Sequence, residues 1–110
     1  MTEELAVIGV SDRNGTPLVA IAGEVDISNA ARLAEVLSDV TPAPVNAIDL
    51  SEVTFIDSTG LNAIAQFGRR VLEDGNALYV VITRPGIGKL FQITALDKHF
   101  SVVSSLDDLP

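Results

Sequence analysis

Two short polar clusters in this chain of 110 residues combine acidic and hydroxyl side chains directly before segments of helical periodicity. The first is Gly23-Glu24-Val25-Asp26-Ile27-Ser28-Asn29, and the second is Ile56-Asp57-Ser58-Thr59-Gly60-Leu61. Carboxylates can bind cations, hydroxyls can receive a phosphoryl group, and free backbone N–H groups at a helix N-terminus attract anions. Asp, Ser, Thr and Asn are also the preferred N-cap residues, so each cluster has a purely structural interpretation as well.

The periodicity of the apolar residues places each cluster between a strand and a helix. Short apolar runs predict strands, and apolar residues at intervals of three and four predict amphipathic helices. Asn14-Gly15 supplies the positive φ angles of a hairpin turn, and Gly75 ends the second helix. The predicted strands cover residues 5–10, 18–22, 45–50, 77–83 and 99–103, and the predicted helices cover residues 29–40, 60–73 and 85–96.

The alternation of strands and helices predicts one α/β domain over residues 1–110. Strand, helix and strand in succession favour partly parallel pairing through right-handed crossovers. Most of the strands are continuous apolar runs, so we expect much of the sheet surface to be covered. The predicted fold class is an α/β sandwich, with a mixed β-sheet and helices packed on it.

Charge and composition exclude several classes of function. The 15 Asp and Glu against 7 Lys and Arg give a net charge of -8, which repels nucleic acid and anionic membranes and argues for a monomer. The absence of cysteine excludes thiol chemistry, and the apolar runs are too short to span a bilayer. The acidic start, Met1-Thr2-Glu3-Glu4, is unlike a signal peptide, so we expect a cytoplasmic protein.

The stretch from Ile48 to Leu61, which ends in Phe55-Ile56-Asp57-Ser58-Thr59-Gly60-Leu61, resembles a signature of the STAS family. Gly23-Glu24-Val25-Asp26 resembles a second signature, and the order of elements matches the family from about Leu5 to Leu106. Within that family, the chain is most similar to the single-domain bacterial anti-sigma factor antagonists. Asn62 stands where many members have a small residue, a departure that bears on the choice of partner.

The resemblance implies a regulatory binding protein without catalysis, cofactor or metal of its own. It implies that Ser58 is phosphorylated by a cognate anti-sigma factor, a serine kinase with a GHKL-type ATP site. The unphosphorylated antagonist would bind that anti-sigma factor and free the sigma factor. Phosphorylation would release the antagonist, and a PP2C-like phosphatase would reset it. Thr59 is the rival phosphate acceptor.

The physics of such a switch depends on where Ser58 lies. A phosphoryl group adds about -1.5 to -2 charges at neutral pH. At the N-terminus of the second helix, free N–H groups and the helix macrodipole would tolerate this charge, so the fold should survive. Asp57 would oppose the charge, as would Glu24 and Asp26 if the two clusters converge at one end of the sheet. A partner that faces a neutral serine would then lose affinity.

A partner-contact face can be outlined from the same elements. Phe67 lies at the edge of the apolar stripe of the second helix, where it is either partly exposed or packed beneath a neighbouring loop. Val36 lies at the corresponding edge of the first helix. The predicted partner-binding residues are Glu24, Asp26, Ser28, Asn29, Asp57, Thr59, Gly60, Asn62, Gln66 and Phe67.

Two other functions stay open at this point. Acidic residues could form a Mg²⁺ site with a phospho-accepting aspartate, as in response-regulator receiver domains, although Lys89 falls within a helix rather than after a late strand. The residues of such a site would be Glu24, Asp26, Asp49 and Asp57. The other alternative is a STAS module that binds a small ligand or nucleotide within a larger signalling or transport assembly.

Overall fold

The first element of the fold begins at Ala6, because the computed structural model describes residues 6–110. Leu5, the predicted start of the first strand, lies outside the described residues. In chain order the elements are β1 (Ala6–Arg13), β2 (Thr16–Val25), α1 (Ala30–Asp39), β3 (Val45–Ile56), α2 (Ser58–Glu73), β4 (Ala77–Val81), α3 (Pro85–Ile93) and β5 (Ser101–Val103). Short 3-10 turns cover Leu96–Lys98 and Leu106–Asp108.

The strands form one mixed five-stranded sheet in the order β1-β2-β3-β4-β5. β1 and β2 form an antiparallel hairpin, in whose turn Asn14 and Gly15 have φ angles of 54° and 88°. β2, β3, β4 and β5 are mutually parallel. The prediction of an α/β fold with a mixed sheet is therefore confirmed, and so is the Asn-Gly hairpin turn.

All three helices lie on one face of the sheet. This placement arises because parallel strands that are neighbours in chain order are joined by right-handed crossovers. One core cluster accordingly joins apolar residues of α1, α2 and α3 with Val19, Ile48 and Val80, which are register partners across the sheet. Leu18 and Ala47 point to the opposite face and, although buried, lie outside that cluster. Helices α1, α2 and α3 thus cover one face of the sheet, and the opposite face also contains buried residues.

Two boundaries at the centre of the chain differ from the prediction. β3 extends to Ile56 instead of ending at residue 50, because its second half pairs with β2 beyond two register shifts, at Ala20/Ala22 and Gly23/Glu24. α2 begins at Ser58, two residues before the predicted start. The second polar cluster is therefore the end of a strand joined directly to the start of a helix, with almost no loop between them.

The C-terminal boundaries also differ. β4 ends at Val81, before the predicted residue 83. α3 ends at Ile93, because Ala95 adopts a left-handed conformation with a φ angle of 61°. The 3-10 turn comes next, and β5 therefore begins at Ser101 instead of residue 99.

Candidate functional site

Asp57 caps the N-terminus of α2. Its Oδ1 atom accepts hydrogen bonds from the backbone N–H groups of Thr59 and Gly60, at 2.9 and 3.1 Å, and from the Thr59 hydroxyl. Such bonds satisfy donors that the first turn of a helix leaves without partners. The amides of Thr59 and Gly60 are consequently not free to receive a phosphate, contrary to the expectation from the sequence.

The same hydrogen bonds favour the ionised form of Asp57. The bond from the Thr59 hydroxyl contributes most to lowering the pKa of Asp57 below its ordinary value. Desolvation acts in the opposite direction and is outweighed, because the backbone N–H groups of Gly60, Thr59 and Ile27 lower the pKa further. Asp57 therefore carries a negative charge at neutral pH.

Ser58 is the first residue of α2, and its side chain is exposed. Within residues 6–110 its hydroxyl has no hydrogen-bond partner. The neighbouring Thr59 hydroxyl is half-buried and donates to Asp57. Of these two adjacent hydroxyls, only that of Ser58 is available to a second protein.

The β2–α1 junction is built on a similar turn, which begins at Asp26. Asp26 Oδ1 accepts hydrogen bonds from both the backbone N–H, at 2.9 Å, and the hydroxyl of Ser28. Asn29 fastens the turn from the other side, because its Oδ1 accepts the Asp26 N–H at 3.0 Å and its Nδ2 donates to the Glu24 carbonyl at 2.9 Å. Helix α1 begins only at Ala30, so this turn is a fixed loop before the helix.

The two junctions lie side by side at one end of the sheet. β2 and β3 are parallel and end together, with Val25 opposite Ile56. The Asp57 backbone N–H donates to the Val25 carbonyl at 3.0 Å, and the Ile27 backbone N–H interacts with the Asp57 carboxylate. The condition under which Glu24 and Asp26 would oppose a charge on Ser58, that the two polar clusters converge at one end of the sheet, is met.

Gly60 allows α2 to approach the ends of β2 and β3 closely. A Cβ atom at this position would lie 2.6 Å from Val25 Cγ1 and 2.8 Å from Ile56 Cγ1, which is inside the contact distance of carbon atoms. Gly60 is buried as a result, and its part in the site is to permit this packing.

The other predicted contact residues divide by exposure. Asn29 is buried, so it can influence a partner only through the shape of its loop. The residues with exposed side chains are Glu24, Ser28, Asn62 and Gln66, and the half-buried ones are Asp26, Asp57 and Thr59.

Of the two alternatives for Phe67, partial exposure and burial beneath a loop, partial exposure is wrong. Its side chain is 4% exposed and belongs to the core between α1 and α2. The Arg70 guanidinium lies 5.3 Å from the centre of the Phe67 ring and donates to the carbonyls of Leu37 and Val40 at the end of α1. Phe67 is thus covered by a helix and an arginine rather than by a loop. Val36 borders a separate groove against the β1–β2 hairpin.

A groove of about 510 Å³ opens between the end of β3 and the start of α3. Its walls include Phe55, Asp57, Arg84 and Ile87, and Phe55 is 49% exposed. Sequence patterns miss Phe55 and Arg84, because their proximity depends on the extension of β3 to Ile56. They also miss Ile27, an exposed apolar residue inside a polar turn, although that contrast is visible in the sequence.

Two structural features bear on the remaining functional classes. Among residues 6–110, no three acidic or histidine side chains are grouped closely enough to hold a metal ion. None of the helices in this described part of the chain has both the length and the apolar character needed to cross a membrane.

Comparison with known proteins agrees with this architecture. The family model described as STAS domain matches residues 8–109. The anti-sigma-F factor antagonist RsfB of Mycobacterium tuberculosis is 32% identical over 104 residues, which cover 92% of this chain and 84% of RsfB. The anti-sigma-B factor antagonist of Staphylococcus aureus is 31% identical over 80 residues, which cover 71% of this chain and 74% of that protein.

A solved structure extends this comparison to three dimensions. The crystal structure of an anti-sigma factor antagonist from Mycobacterium paratuberculosis matches with a TM-score of 0.86 and 30% identity, over 94% of this chain and 89% of that one. Sequence and structure thus agree over nearly the whole length of both proteins. The chain belongs to the STAS domain family.

Proposed function

We propose that this chain is an anti-sigma factor antagonist whose binding is switched by phosphorylation of Ser58. Unphosphorylated, it binds an anti-sigma factor that is a GHKL-type serine kinase and thereby frees a sigma factor. Relatives that are named anti-sigma factor antagonists support the binding function. The single observation that carries the switch is the exposed hydroxyl of Ser58 at the start of α2, free of any hydrogen bond within residues 6–110.

The choice between the two neighbouring hydroxyls depends on access. A kinase must bring the γ-phosphate of ATP to the acceptor oxygen, so the acceptor has to be exposed. Ser58 meets this condition. Phosphorylation of Thr59 would require its hydroxyl to leave Asp57 and would disturb the helix cap. Ser58 is therefore the better acceptor.

Phosphorylation would change the charge of the site without unfolding it. The phosphoryl group adds about -1.5 to -2 charges beside the ionised Asp57. The amides of Thr59 and Gly60 already donate to Asp57, and the macrodipole of α2 offsets part of the new charge. A partner surface matched to a neutral serine would have to desolvate this dianion, at a cost of several kcal/mol.

A PP2C-like phosphatase completes the cycle in this proposal. Phosphoserine 58 would be accessible to a phosphatase, because Ser58 is an exposed residue at the start of α2. Hydrolysis would then restore the neutral serine and the ability to bind.

The test combines phosphate mapping with binding. The chain is incubated with ATP and, one at a time, with the purified GHKL-type anti-sigma factors encoded in its own genome, and phosphopeptides are mapped by mass spectrometry. We expect one phosphate on Ser58. Ser58→Ala should resist modification and bind like wild type, and Ser58→Asp should bind about 10- to 100-fold more weakly. Ser101→Asp, which adds the same charge on the exposed edge of β5, is the matched control and should bind normally.

Two results would contradict the proposal. One is phosphate on Thr59 instead of Ser58. The other is the absence of any kinase-dependent phosphate together with wild-type binding by Ser58→Asp.

A second candidate function, binding of a nucleotide or another anion, is favoured by Arg84, which lines the same groove as Asp57. Exposed Arg84 on its wall precedes Pro85, the first residue of α3, and an arginine suits a phosphate. Calorimetric titration with ATP and with GTP tests this function. Binding that Arg84→Ala abolishes would support it, and no binding at about millimolar ligand would remove it.

A further inference from the structure

Ile27 is an isoleucine held out in solvent at the same end of the sheet as Ser58. It is 79% exposed, the highest value among the large apolar residues of the described part of the chain. Single exposed apolar residues are common on protein surfaces, so exposure alone implies nothing. The position and the rigidity of Ile27 distinguish it.

The backbone on both sides of Ile27 is fixed. Before it, the Asp26 N–H donates to Asn29 Oδ1, and the Asp26 carbonyl accepts the N–H groups of Asn29 and Ala30, at 3.1 and 2.9 Å. After it, the Ser28 N–H donates to Asp26 Oδ1. A residue whose backbone is already fixed loses less conformational entropy on binding than one on a mobile loop.

Ile27 and Ser58 occupy equivalent positions in the two turns. Ile27 follows Asp26, whose Oδ1 accepts the N–H and the hydroxyl of Ser28. Ser58 follows Asp57, whose Oδ1 accepts the N–H and the hydroxyl of Thr59. In each turn, the residue between the aspartate and the hydrogen-bond donor takes no part in these bonds, and its side chain is exposed. Val25 lies opposite Ile56, and the Asp57 N–H donates to the Val25 carbonyl, so the two exposed side chains lie at the same end of the sheet.

We infer that Ile27 is an apolar anchor, which inserts into a pocket of the anti-sigma factor when that protein covers Ser58. The inference rests on the proposed function and names the chemistry of the partner: an apolar pocket bordered by basic side chains. The basic border is expected from the acidic groups beside Ile27, since Glu24, Asp26 and Asp57 would repel an acidic partner. Side chains that fill well-packed pockets near the centre of an interface carry a large share of the binding energy.

The test uses two isoleucines of similar exposure. Ile93, 70% exposed, is the last residue of α3, at the end away from Arg84 and the Asp57 groove. Ile27→Ser and Ile93→Ser are compared with wild type by calorimetric titration against each purified GHKL-type anti-sigma factor of the same genome. We expect Ile27→Ser to weaken binding at least about tenfold and Ile93→Ser to change it less than about twofold.

Two further measurements separate anchoring from folding. Thermal unfolding should give the same midpoint for all three proteins, and Ile27→Leu, which keeps an apolar side chain, should retain most of the affinity. In phosphorylation assays with the same kinase, Ile27→Ser should raise KM and leave kcat unchanged, because the serine itself is intact.

The outcomes distinguish the anchor from the proposed function. If wild type binds none of the anti-sigma factors, the proposed function fails and the anchor fails with it. If wild type binds and Ile27→Ser binds equally well, the function stands and the anchor is overturned. Equal losses for Ile27→Ser and Ile93→Ser would also overturn it, since the effect would then be unrelated to position.

Discussion

At the β2–α1 junction, Asp26 accepts hydrogen bonds from the N–H and the hydroxyl of Ser28; at the β3–α2 junction, Asp57 accepts the same pair from Thr59. The two turns differ in how soon a helix begins. α2 begins immediately after Asp57, whereas three residues separate Asp26 from the start of α1. Similar local hydrogen bonds therefore lead to a helix cap in one place and to a fixed loop in the other.

The third residue after each aspartate accounts for this difference. Gly60 adds a second backbone donor to Asp57 and has no side chain to keep α2 away from the sheet. Asn29 instead turns its side chain back onto the Asp26 N–H and the Glu24 carbonyl. In both turns, the hydrogen bonds to the aspartate leave the side chain of the next residue exposed. The third residue after the aspartate determines whether a helix begins at once.

Of the substitutions that test the difference between the two junctions, Gly60→Ala is expected to change the free energy of unfolding most. The new Cβ would clash with Val25 and Ile56, so α2 must shift or the side chains must leave their rotamers. We expect a loss of about 1–3 kcal/mol in the free energy of unfolding, measured by urea denaturation. Gly86→Ala is the control, because a Cβ at that position in α3 meets nothing within 4 Å. Unchanged stability of Gly60→Ala would show that close approach is not what defines the β3–α2 junction.

The second largest loss of stability is expected from a substitution in the β2–α1 loop. Asn29→Ala removes a buried side chain and leaves the partly buried Asp26 N–H and Glu24 carbonyl without their partners, which should cost about 1–2 kcal/mol. Asn62→Ala, at an exposed position of α2, should change stability by less than about 0.5 kcal/mol. Equal unfolding free energies for the two variants would mean that Asn29 does not fasten the loop.

The convergence of the two junctions could be predicted from sequence, because it depends on a general property: parallel strands end at the same edge of a sheet. The order of elements and the glycine after α2 were predictable for similar reasons of periodicity and backbone conformation. Gly75 indeed has a φ angle of 75°, next to the C-cap Asp74.

The errors arise where distant contacts decide the outcome. The extension of β3 to Ile56 depends on register shifts in its pairing with β2, which no pattern within β3 reveals. The burial of Phe67 depends on Arg70 reaching across to α1. The exposure of Ile27 is a different case, for which the sequence pattern gives no prediction: it depends on local hydrogen bonds of Asp26 and Asn29, about which apolar periodicity carries no information.

A smaller effect separates the two hydroxyls that donate to the aspartates. Thr59→Val keeps the side-chain shape but removes the half-buried donor to Asp57, and we expect a cost of about 0.5–1.5 kcal/mol. Ser28→Ala removes an exposed hydroxyl, for which water can substitute, and should cost less than about 0.5 kcal/mol. Both costs are measured by urea denaturation at neutral pH. A larger loss for Ser28→Ala would reverse the comparison and make the loop the more tightly stabilised of the two turns.

The smallest expected effect is the pH dependence of the Asp57 cap, because solvent and salt screen a charge near the surface. The folded-state pKa of Asp57 is lowered, chiefly by the Thr59 hydroxyl, whereas an unfolded aspartate titrates near about 3.9. The stabilisation is therefore fully present above the unfolded pKa and is lost as the pH falls through the lower folded pKa.

Asp57→Asn isolates this contribution, since asparagine keeps an oxygen acceptor but carries no charge. The difference in unfolding free energy between wild type and Asp57→Asn should be constant above about pH 5 and should shrink on acidification below about pH 4. In the Thr59→Val background the same difference should shrink less, because the main cause of the lowered pKa is gone. A difference that grows as the pH falls would mean that the folded state raises the pKa of Asp57, and Asp57 would then resemble a desolvated acid rather than a cap.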